Sequence, residues 1–328
     1  MTEHSETRQE TTPTQAAESP VPAATEDGTA SAEGQPRAPA LGTPAEERVL
    51  ASAHGLESGP EPVLWSGESR GPAFVYALGQ IDWRFPTLSI EKECAQVAGQ
   101  SDAAGLTDRQ AFQSLLSAPG NRYLARQLCW ILTVRGLETY ILSPRVPGDI
   151  DLLVEAVRPS PEPTDIDCVI GVLGPIAPPE LCNALMLPIV IYDQIYSFDV
   201  PTLLGAIPRP DKVKADQWEA ANHEIFPRMT QMNDNAGATD ADRALNYLSV
   251  RYPGIYHKAA EKFAANSSLT RVDVRPSRPT GARNIVEVVF AYTDRSTDVT
   301  EKLFARVDVT EEFPFLVSKL APYLERGH

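Results

Sequence analysis

The spacing of apolar residues alternates between strand and helix patterns from about Pro72 onward. Phe74 to Leu78 is a short apolar run that ends at Gly79, which is typical of a buried strand. Further apolar runs predict strands over residues 139–142, 167–173 and 185–192. Apolar residues at three- and four-residue steps predict helices that begin after Thr107, after Asn121 (continuing through Leu128 and Ile131) and at Asp149. This pattern predicts an α/β-like first domain with a mixed sheet over 71–207.

A second periodic region follows a proline-rich link at 207–211. Helical spacing predicts helices over 218–232, 239–252 and 255–263. After Asn266 the period changes to two, and strands are predicted over 270–274, 286–292 and 303–309. Thr310 and the two glutamates that follow it predict a closing helix over 310–323. The pattern therefore predicts a second α-α-β-β-β-α domain over 211–326, and the folded part is of the α+β class.

The first 70 residues have no such pattern. They contain no aromatic residue before Trp65, and they hold 12 acidic and 4 basic side chains. A segment of this composition buries too little apolar area to offset its conformational entropy. Residues 1–70 are therefore predicted to be a disordered, acidic tail rich in proline and alanine.

The charge of the chain excludes one class of partner. The 328 residues carry 29 basic and 44 acidic side chains, a formal net charge of −15. A protein that binds the phosphate backbone needs an excess of Lys and Arg, so no nucleic-acid partner is expected. No stretch approaches the roughly 18 apolar residues that a membrane-spanning helix needs. The N-terminus also lacks a secretory signal, so we expect a cytoplasmic protein with no membrane association.

Residues that could carry catalysis are sparse. Of the histidines, only His223 and His257 fall in the folded part, so a histidine-based zinc site is poorly supplied. The cysteines show no clustered spacing and are predicted to be reduced, buried thiols. They are Cys94, Cys129, Cys168 and Cys182. Neither a glycine-rich phosphate loop nor a nucleophile elbow occurs. We therefore expect no catalytic residue, no metal and no cofactor.

One short sequence keeps an enzyme as an alternative. Asp149-Ile-Asp151 is similar to the paired carboxylates of small nucleotidyltransferases, which hold Mg²⁺. That family also needs an upstream Gly-Ser pair, which is missing here, and a third carboxylate, for which Asp165 or Asp167 is available. In the other interpretation, Asp149 caps a helix and Asp151 lies in its first turn. We favour the helix cap, and nucleotidyl transfer stays the alternative function.

Several strings resemble the C-terminal domain of unknown function of the PatG and PatA proteins. Residues 74–81 (FVYALGQI) are similar to the family's opening strand, and residues 128–132 and 138–144 are similar to a helix and the strand after it. The resemblance covers about 72–205 and, more loosely, 211–326. PatG proteins act in cyanobactin biosynthesis and also carry a subtilisin-like protease, whose Asp, His and Ser motifs do not occur here. The resemblance implies a non-catalytic accessory or recognition protein in ribosomal-peptide maturation, with a peptidase label inherited from PatG as a second alternative.

The predicted binding residues depend on where the first strand ends. If Gly79 lets the chain turn, Gln80 and Trp83 lie at a strand's exit, where α/β layers usually bind ligands. Tryptophan offers broad contact area, and glutamine offers an amide donor and acceptor. We therefore predict Tyr76, Gln80 and Trp83 as binding residues for a peptide or protein partner. The alternative is that Trp83 covers the edge of the core. The sequence leaves a homodimer open.

The predicted tail gives a direct test. Deletion of residues 1–70 removes no aromatic side chain except Trp65, so thermal unfolding of the truncated protein should match that of the full chain within a few degrees. A melting temperature lowered by more than about ten degrees would contradict the prediction, because such a loss corresponds to several kcal/mol.

Overall fold

The computed structural model describes residues 72–99, 106–232, 234–277 and 283–324. The predicted tail over 1–70 lies outside these residues. The described part contains a closed barrel and a separate antiparallel sheet, together with helices. The predicted α+β class is therefore confirmed.

The barrel has five strands in the order β1-β2-β3-β5-β4. They are β1 Phe74–Arg84, β2 Cys129–Val134, β3 Leu137–Pro144, β4 Asp165–Ile176 and β5 Pro188–Asp199. All neighbouring pairs are antiparallel except β3 and β5, which run parallel, so the predicted mixed sheet is confirmed. Strands β2 and β3 are joined by Arg135 and Gly136, which have φ values of 52° and 81°. Two positive φ values in a two-residue link are typical of a tight hairpin turn.

Among the described residues, five α-helices accompany the barrel. They are α1 Leu88–Ala98, α2 Asp108–Ser117, α3 Arg122–Ala125, α4 Ile150–Ala156 and α5 Val200–Gly205. The predicted cap at Thr107 is confirmed, because its side chain accepts from the Gln110 N–H and the Gln110 side chain accepts from the Thr107 N–H. Apolar residues of the first four helices join those of the strands in one buried cluster, which includes Phe112, Leu116 and Leu153. Burial of these side chains is the main stabilising term of this part.

The second region contains a helical block followed by a four-stranded sheet. The helices are α6 Ala215–Thr230, α7 Asp240–Arg251 and α8 Gly254–Ala264. The strands are β6 Ser267–Pro276, β7 Ile285–Asp294, β8 Thr300–Asp308 and β9 Phe315–Pro322, paired in sequence order and all antiparallel. The predicted capping box at Thr239 and Asp242 is confirmed. The helices and the sheet share a second buried cluster.

The predicted closing helix over 310–323 is wrong. Residues Phe315–Pro322 form β9, which pairs with β8. Leu316 and Leu320 both pack against the second buried cluster, and the predicted helix would also have turned these two side chains inward. A spacing of four residues puts two side chains on one face in a helix and also in a strand, so this pattern could not separate the two structures.

The predicted continuation of the Asn121 helix through Leu128 and Ile131 is also wrong. The helix α3 ends at Ala125, and β2 begins at Cys129. Nearly every residue of β2 is buried, on both of its faces. A continuous apolar run of this kind has no period, and sequence alone does not distinguish a buried strand from a buried helix.

The first strand does not end at Gly79. The strand β1 continues to Arg84, and Gly79 lies in its middle. A Cβ atom at Gly79 would lie 2.5 Å from the carbonyl oxygen of Thr133 on β2. The glycine is therefore required by the close approach of two strands and not by a turn.

Two of the cysteines that we expected to be reduced are paired. Cys129 and Cys182 form a disulfide bond across a sequence separation of 53 residues, so the prediction of four free thiols is wrong. Because the two cysteines are far apart in sequence, their spacing shows no motif that would predict the disulfide bond. Cys94 and Cys168 are free and buried, as predicted. The predicted cytoplasmic location stays a prediction. No helix in the described part of the chain is long and apolar enough to cross a membrane.

A backbone contact joins β1 to the segment before α7. The Tyr76 N–H donates to the carbonyl of Gly237 at 2.8 Å, and Gly237 has a φ of 80°. The side chain of Asn246 on α7 donates to the Tyr76 carbonyl at 2.8 Å. This strand of the barrel is therefore bonded to the region of the helical block. The predicted division into domains at 71–207 and 211–326 stays a prediction.

We expect Gly237→Ala to destabilise the protein strongly. A Cβ atom would lie 2.5 Å from Cα of Ala77, and alanine also disfavours a positive φ. The free energy of unfolding should fall by about 3 kcal/mol or more, measured by chemical denaturation. Gly148→Ala is the control, since nothing lies within 4 Å of its Cβ position. Equal stability of the two variants would contradict this account.

Candidate functional site

A cavity of about 510 Å³ lies between the barrel and the helices α5 and α6. Its walls include Gln80 and Val134 from the barrel, residues 163–166 before and at the start of β4, and Asn222 and Phe226 from α6. The volume falls within the range that small-molecule and peptide pockets usually have. It is therefore a candidate ligand site.

Asn222 is the unusual residue of this cavity. The buried face of α6 contains Ala221, Ile225 and Met229, and Asn222 lies among them with only 2% of its surface exposed. Neither Nδ2 nor Oδ1 has a hydrogen-bond partner among the described residues. A buried amide without partners costs about 1–3 kcal/mol. Both polar atoms are buried, so a ligand in the adjacent cavity could reach them only after the side chain turns toward it.

The other buried asparagines of the cavity are fully bonded. Asn235 Nδ2 donates to Asn246 Oδ1 at 2.7 Å, and Asn246 Nδ2 donates to Asn235 Oδ1 at 3.0 Å. Asn235 Oδ1 also accepts from the Gly237 N–H at 3.1 Å. These two amides serve the fold, and Asn222 does not.

A smaller, polar cavity of about 140 Å³ lies next to the first. The two cavities share Gln80, Thr133 and Asp165 in their walls. Gln80 Nε2 donates to the carbonyls of Glu162 at 2.9 Å and Asp165 at 3.1 Å. The Gln80 amide therefore fixes the segment before β4 at the boundary of the two cavities.

Two arginines line the smaller cavity, and their environments differ. Arg109 Nη1 donates to both carboxylate oxygens of Asp82, at 3.2 and 3.1 Å, and its guanidinium lies 4.8 Å from the ring of Trp83. Arg109 Nε donates to the carbonyl of Arg158 at 2.9 Å. By contrast, Nε and Nη2 of Arg158 are buried and have no partner among the described residues.

Asp167 is a buried carboxylate in the wall of the smaller cavity. It is 4% exposed, and it accepts from the Ile81 N–H at 2.7 Å and the Ser197 hydroxyl at 2.6 Å. Burial raises the pKa of Asp167 to about 6, although the two hydrogen bonds and the charge of Arg158 lower it. The group therefore titrates well above the usual range of an aspartate.

The structure does not bring the three predicted binding residues together. Tyr76 and Gln80 lie on one face of β1, and Trp83 lies on the other because side chains alternate along a strand. Tyr76 is buried against Cys168 and Tyr247, and burial raises its pKa. Trp83 stacks on Phe112 with ring centroids 4.5 Å apart. Gln80 is the one of the three that lines both cavities.

The carboxylates of the alternative enzyme interpretation are engaged in other contacts. Asp149 stands at the N-cap position of α4 and Asp151 lies in its first turn, as predicted, but the Asp149 side chain makes no capping hydrogen bond. Asp151 forms an ion pair with Arg122 at 2.8 Å. Asp165 Oδ2 accepts from the Glu162 N–H at 2.8 Å. In the described part of the chain, no three His, Cys, Asp or Glu side chains are grouped to hold a metal ion.

Neither Asn222 nor Arg158 is among the residues predicted from the sequence. Asn222 had a usable signal, because a polar residue beside Ala221 and Ile225 interrupts the apolar face of a predicted helix. No sequence pattern marks Arg158 as buried, because it follows the end of α4 in a polar stretch. Only the tertiary structure shows that Nε and Nη2 of this half-buried residue are themselves buried.

The raised pKa of Asp167 predicts a pH-dependent stability. The folded protein binds more protons than the unfolded chain between about pH 4 and 6, so the free energy of unfolding should fall as pH rises through this window. The expected fall is about 2–3 kcal/mol, and it levels off above the folded-state pKa.

Asp167→Asn isolates this contribution from other titrating groups. The amide can accept from the Ile81 N–H and donate to the Ser197 oxygen, so the contacts are retained without the charge. The difference in stability between wild type and variant should therefore depend on pH between about 4 and 6. Denaturation curves at several pH values measure it. A difference that does not vary with pH would rule out the account.

Comparison with known proteins connects these features to one family. Residues 212–323 match the family model described as PatG C-terminal. The fold is similar to a solved structure of the PatG Domain of Unknown Function, with a TM-score of 0.62 and 19% sequence identity over 77% of this chain and 99% of that chain. No curated protein matches the sequence. The family model matches the region in which we expected the looser resemblance, and the solved structure adds a likeness of fold over 77% of the chain. The predicted resemblance is therefore confirmed: residues 212–323 are similar to the PatG C-terminal family, within the fold of the PatG domain of unknown function.

Proposed function

We propose that this protein is a non-catalytic recognition protein that binds a peptide in the cavity of about 510 Å³ between the barrel and α6. The peptide would belong to a pathway that modifies ribosomal peptides, as the cyanobactin context of PatG implies. The proposal keeps the predicted peptide partner and Gln80, and it adds Asn222 as the principal contact.

The unpartnered amide of Asn222 carries the proposal. A carboxamide presents an NH2 donor group and a carbonyl acceptor, which can pair with the acceptor and the donor of a backbone peptide unit. A peptide in the cavity could satisfy both groups of Asn222 once this buried side chain turns toward the cavity. The gain is specific, because a ligand without a matching donor and acceptor would leave the buried amide unpaired.

Much of the rest of the wall suits a partly apolar chain, and Arg135, Asp165 and His223 also line it. Leu78, Val134 and Phe226 supply apolar surface, while Thr133 and Thr230 add hydroxyl groups. Apolar walls with a few well-placed polar groups are typical of sites that bind and orient a ligand.

The free thiols give no support to a peptidase. Cys94 and Cys168 are the free cysteines of the described residues, and both are buried. Burial raises the pKa of each thiol, that of Cys168 to about 12, so the reactive thiolate is disfavoured. His223 has a side chain that is 68% exposed, and His257 bonds the carbonyl of Pro208 at 2.8 Å.

Asn222→Leu tests the proposal, because leucine has the same branched arrangement of side-chain heavy atoms and neither donor nor acceptor. We expect unchanged or higher thermal stability, since an unpaired buried amide is removed. Affinity for the cognate peptide should fall at least about tenfold. The probes are short synthetic peptides tiled across the peptides encoded beside the gene, each with a free carboxylate and as its amide, and titration calorimetry measures binding.

Asn246→Leu is the matched control for stability, because it removes a buried amide that does have hydrogen-bond partners. This amide bonds Tyr76 and Asn235, so its loss should lower the free energy of unfolding by about 2–4 kcal/mol. The proposal fails if no peptide binds wild type, or if Asn222→Leu binds as tightly as wild type does.

A further inference from the structure

We propose that another cavity, of about 580 Å³ at the opposite end of the barrel, binds a fatty-acid-like molecule, an apolar chain that carries one carboxylate. The cavity of the peptide site lies at the β2–β3 turn, whereas this one lies at the start of β2, the end of β3 and the start of β5. Among the described residues, the two cavities have no wall residue in common. The inference therefore goes beyond the proposed function and does not depend on it.

The accessible wall of this cavity is largely apolar. Pro144 from β3 and Ile189 from β5 are half-buried, and Pro147 and Leu181 are exposed. Leu181 keeps 45% of its surface in contact with solvent. The volume falls within the roughly 300–1,000 Å³ of ordinary ligand pockets. An apolar chain in the cavity would remove these side chains from water, which the hydrophobic effect favours.

The loop between β4 and β5, residues 177–187, supplies one wall and is fixed at two points. Cys182 forms the disulfide bond with Cys129 at the start of β2, and both cysteines line the cavity. At the base of the loop, the Ala177 N–H donates to the carbonyl of Leu187 at 2.8 Å. This wall is therefore in place before a ligand arrives, which lowers the entropy that binding would cost.

The charges that line the cavity are positive. Arg126 and Arg145 are its charged residues among the described part of the chain, and both are exposed. Arg145 pairs with Glu312 at 2.8 Å and lies 3.4 Å from Asp193. Arg126 forms no ion pair with a described residue. In a chain of net charge −15, this rim attracts an anion, and Arg126 is the cation that can pair with it.

One carboxylate suits this rim better than several anionic groups do. A carboxylate can accept two parallel hydrogen bonds from the planar guanidinium of Arg126. Because Arg126 is exposed, the carboxylate stays in contact with water and its desolvation cost is small. A second anionic group would have to compete with Glu312 for Arg145. The ligand is therefore an apolar chain with a single anionic end.

The test of the anionic end uses decanoate and decanol, which have the same apolar chain, and titration calorimetry measures their binding. Arg126→Gln should bind decanoate about tenfold less tightly than wild type. Its affinity for decanol should change by less than about twofold, because the alcohol forms no ion pair with arginine. Arg209→Gln is the matched control, since Arg209 is exposed and lies outside the cavity wall, and it should bind both molecules as wild type does.

A second pair of variants tests the apolar wall. Leu181→Gln should weaken the binding of decanoate and of decanol alike, by at least about fivefold. The core does not depend on this exposed side chain, so the variant should fold. Leu137→Gln is the control, because Leu137 is 73% exposed and does not line the cavity.

Four results would each overturn the proposal. They are no binding of decanoate by wild type, an unchanged decanoate affinity in Arg126→Gln, equal losses of decanoate and decanol in that variant, and equal losses in Leu181→Gln and Leu137→Gln. Displacement of decanoate by the synthetic peptides would assign this cavity to a peptide and would also reject the fatty-acid-like ligand. None of these results bears on Asn222, so the proposed function is tested separately.

Discussion

The hydrogen bonds between β1 and the segment that leads into α7 are the constraint on which the site depends. Asn246 bonds the Tyr76 carbonyl, and Gly237 accepts from the Tyr76 N–H. These bonds fix β1 relative to the helical block, and β1 carries Gln80 at the boundary of both cavities. Asn235 completes the arrangement by satisfying Asn246. The paired amides set the geometry, whereas the buried amide of Asn222 has no hydrogen-bond partner among the described residues.

Sequence reasoning succeeded where a local interaction decides the structure. The capping boxes at Thr107 and Thr239 mark the starts of α2 and α7, because the side chains that bond the first turn are three residues apart in sequence. It failed where long-range pairing decides. Residues 315–322 become a strand because β8 offers an edge, and Gly79 stays within β1 because β2 passes close to it. The Cys129–Cys182 disulfide bond also depends on contacts between residues far apart in sequence.

The site was predictable only in part, for a related reason. Gln80 was identified from its neighbourhood and does line the cavities, whereas Trp83 stacks on Phe112 on the opposite face of β1. The prediction ended β1 at Gly79. In the continuous strand, side chains alternate between the two faces, so Gln80 and Trp83 lie on opposite sides. Whether a buried polar group such as Asn222 has a partner depends on every element around it. No sequence pattern contains that information.

Barrel closure has a consequence for association with other chains. The parallel pairing of β3 with β5 leaves none of the barrel strands with a free edge. Among the described strands, open backbone hydrogen-bonding groups are confined to β6 and β9, the outer strands of the second sheet. β6 ends in Pro276, and β9 exposes Lys319 and ends in Pro322, features that discourage strand addition. A sheet that continued from one copy into another would therefore have to form at a guarded edge, far along the chain from the barrel strands that line the cavities.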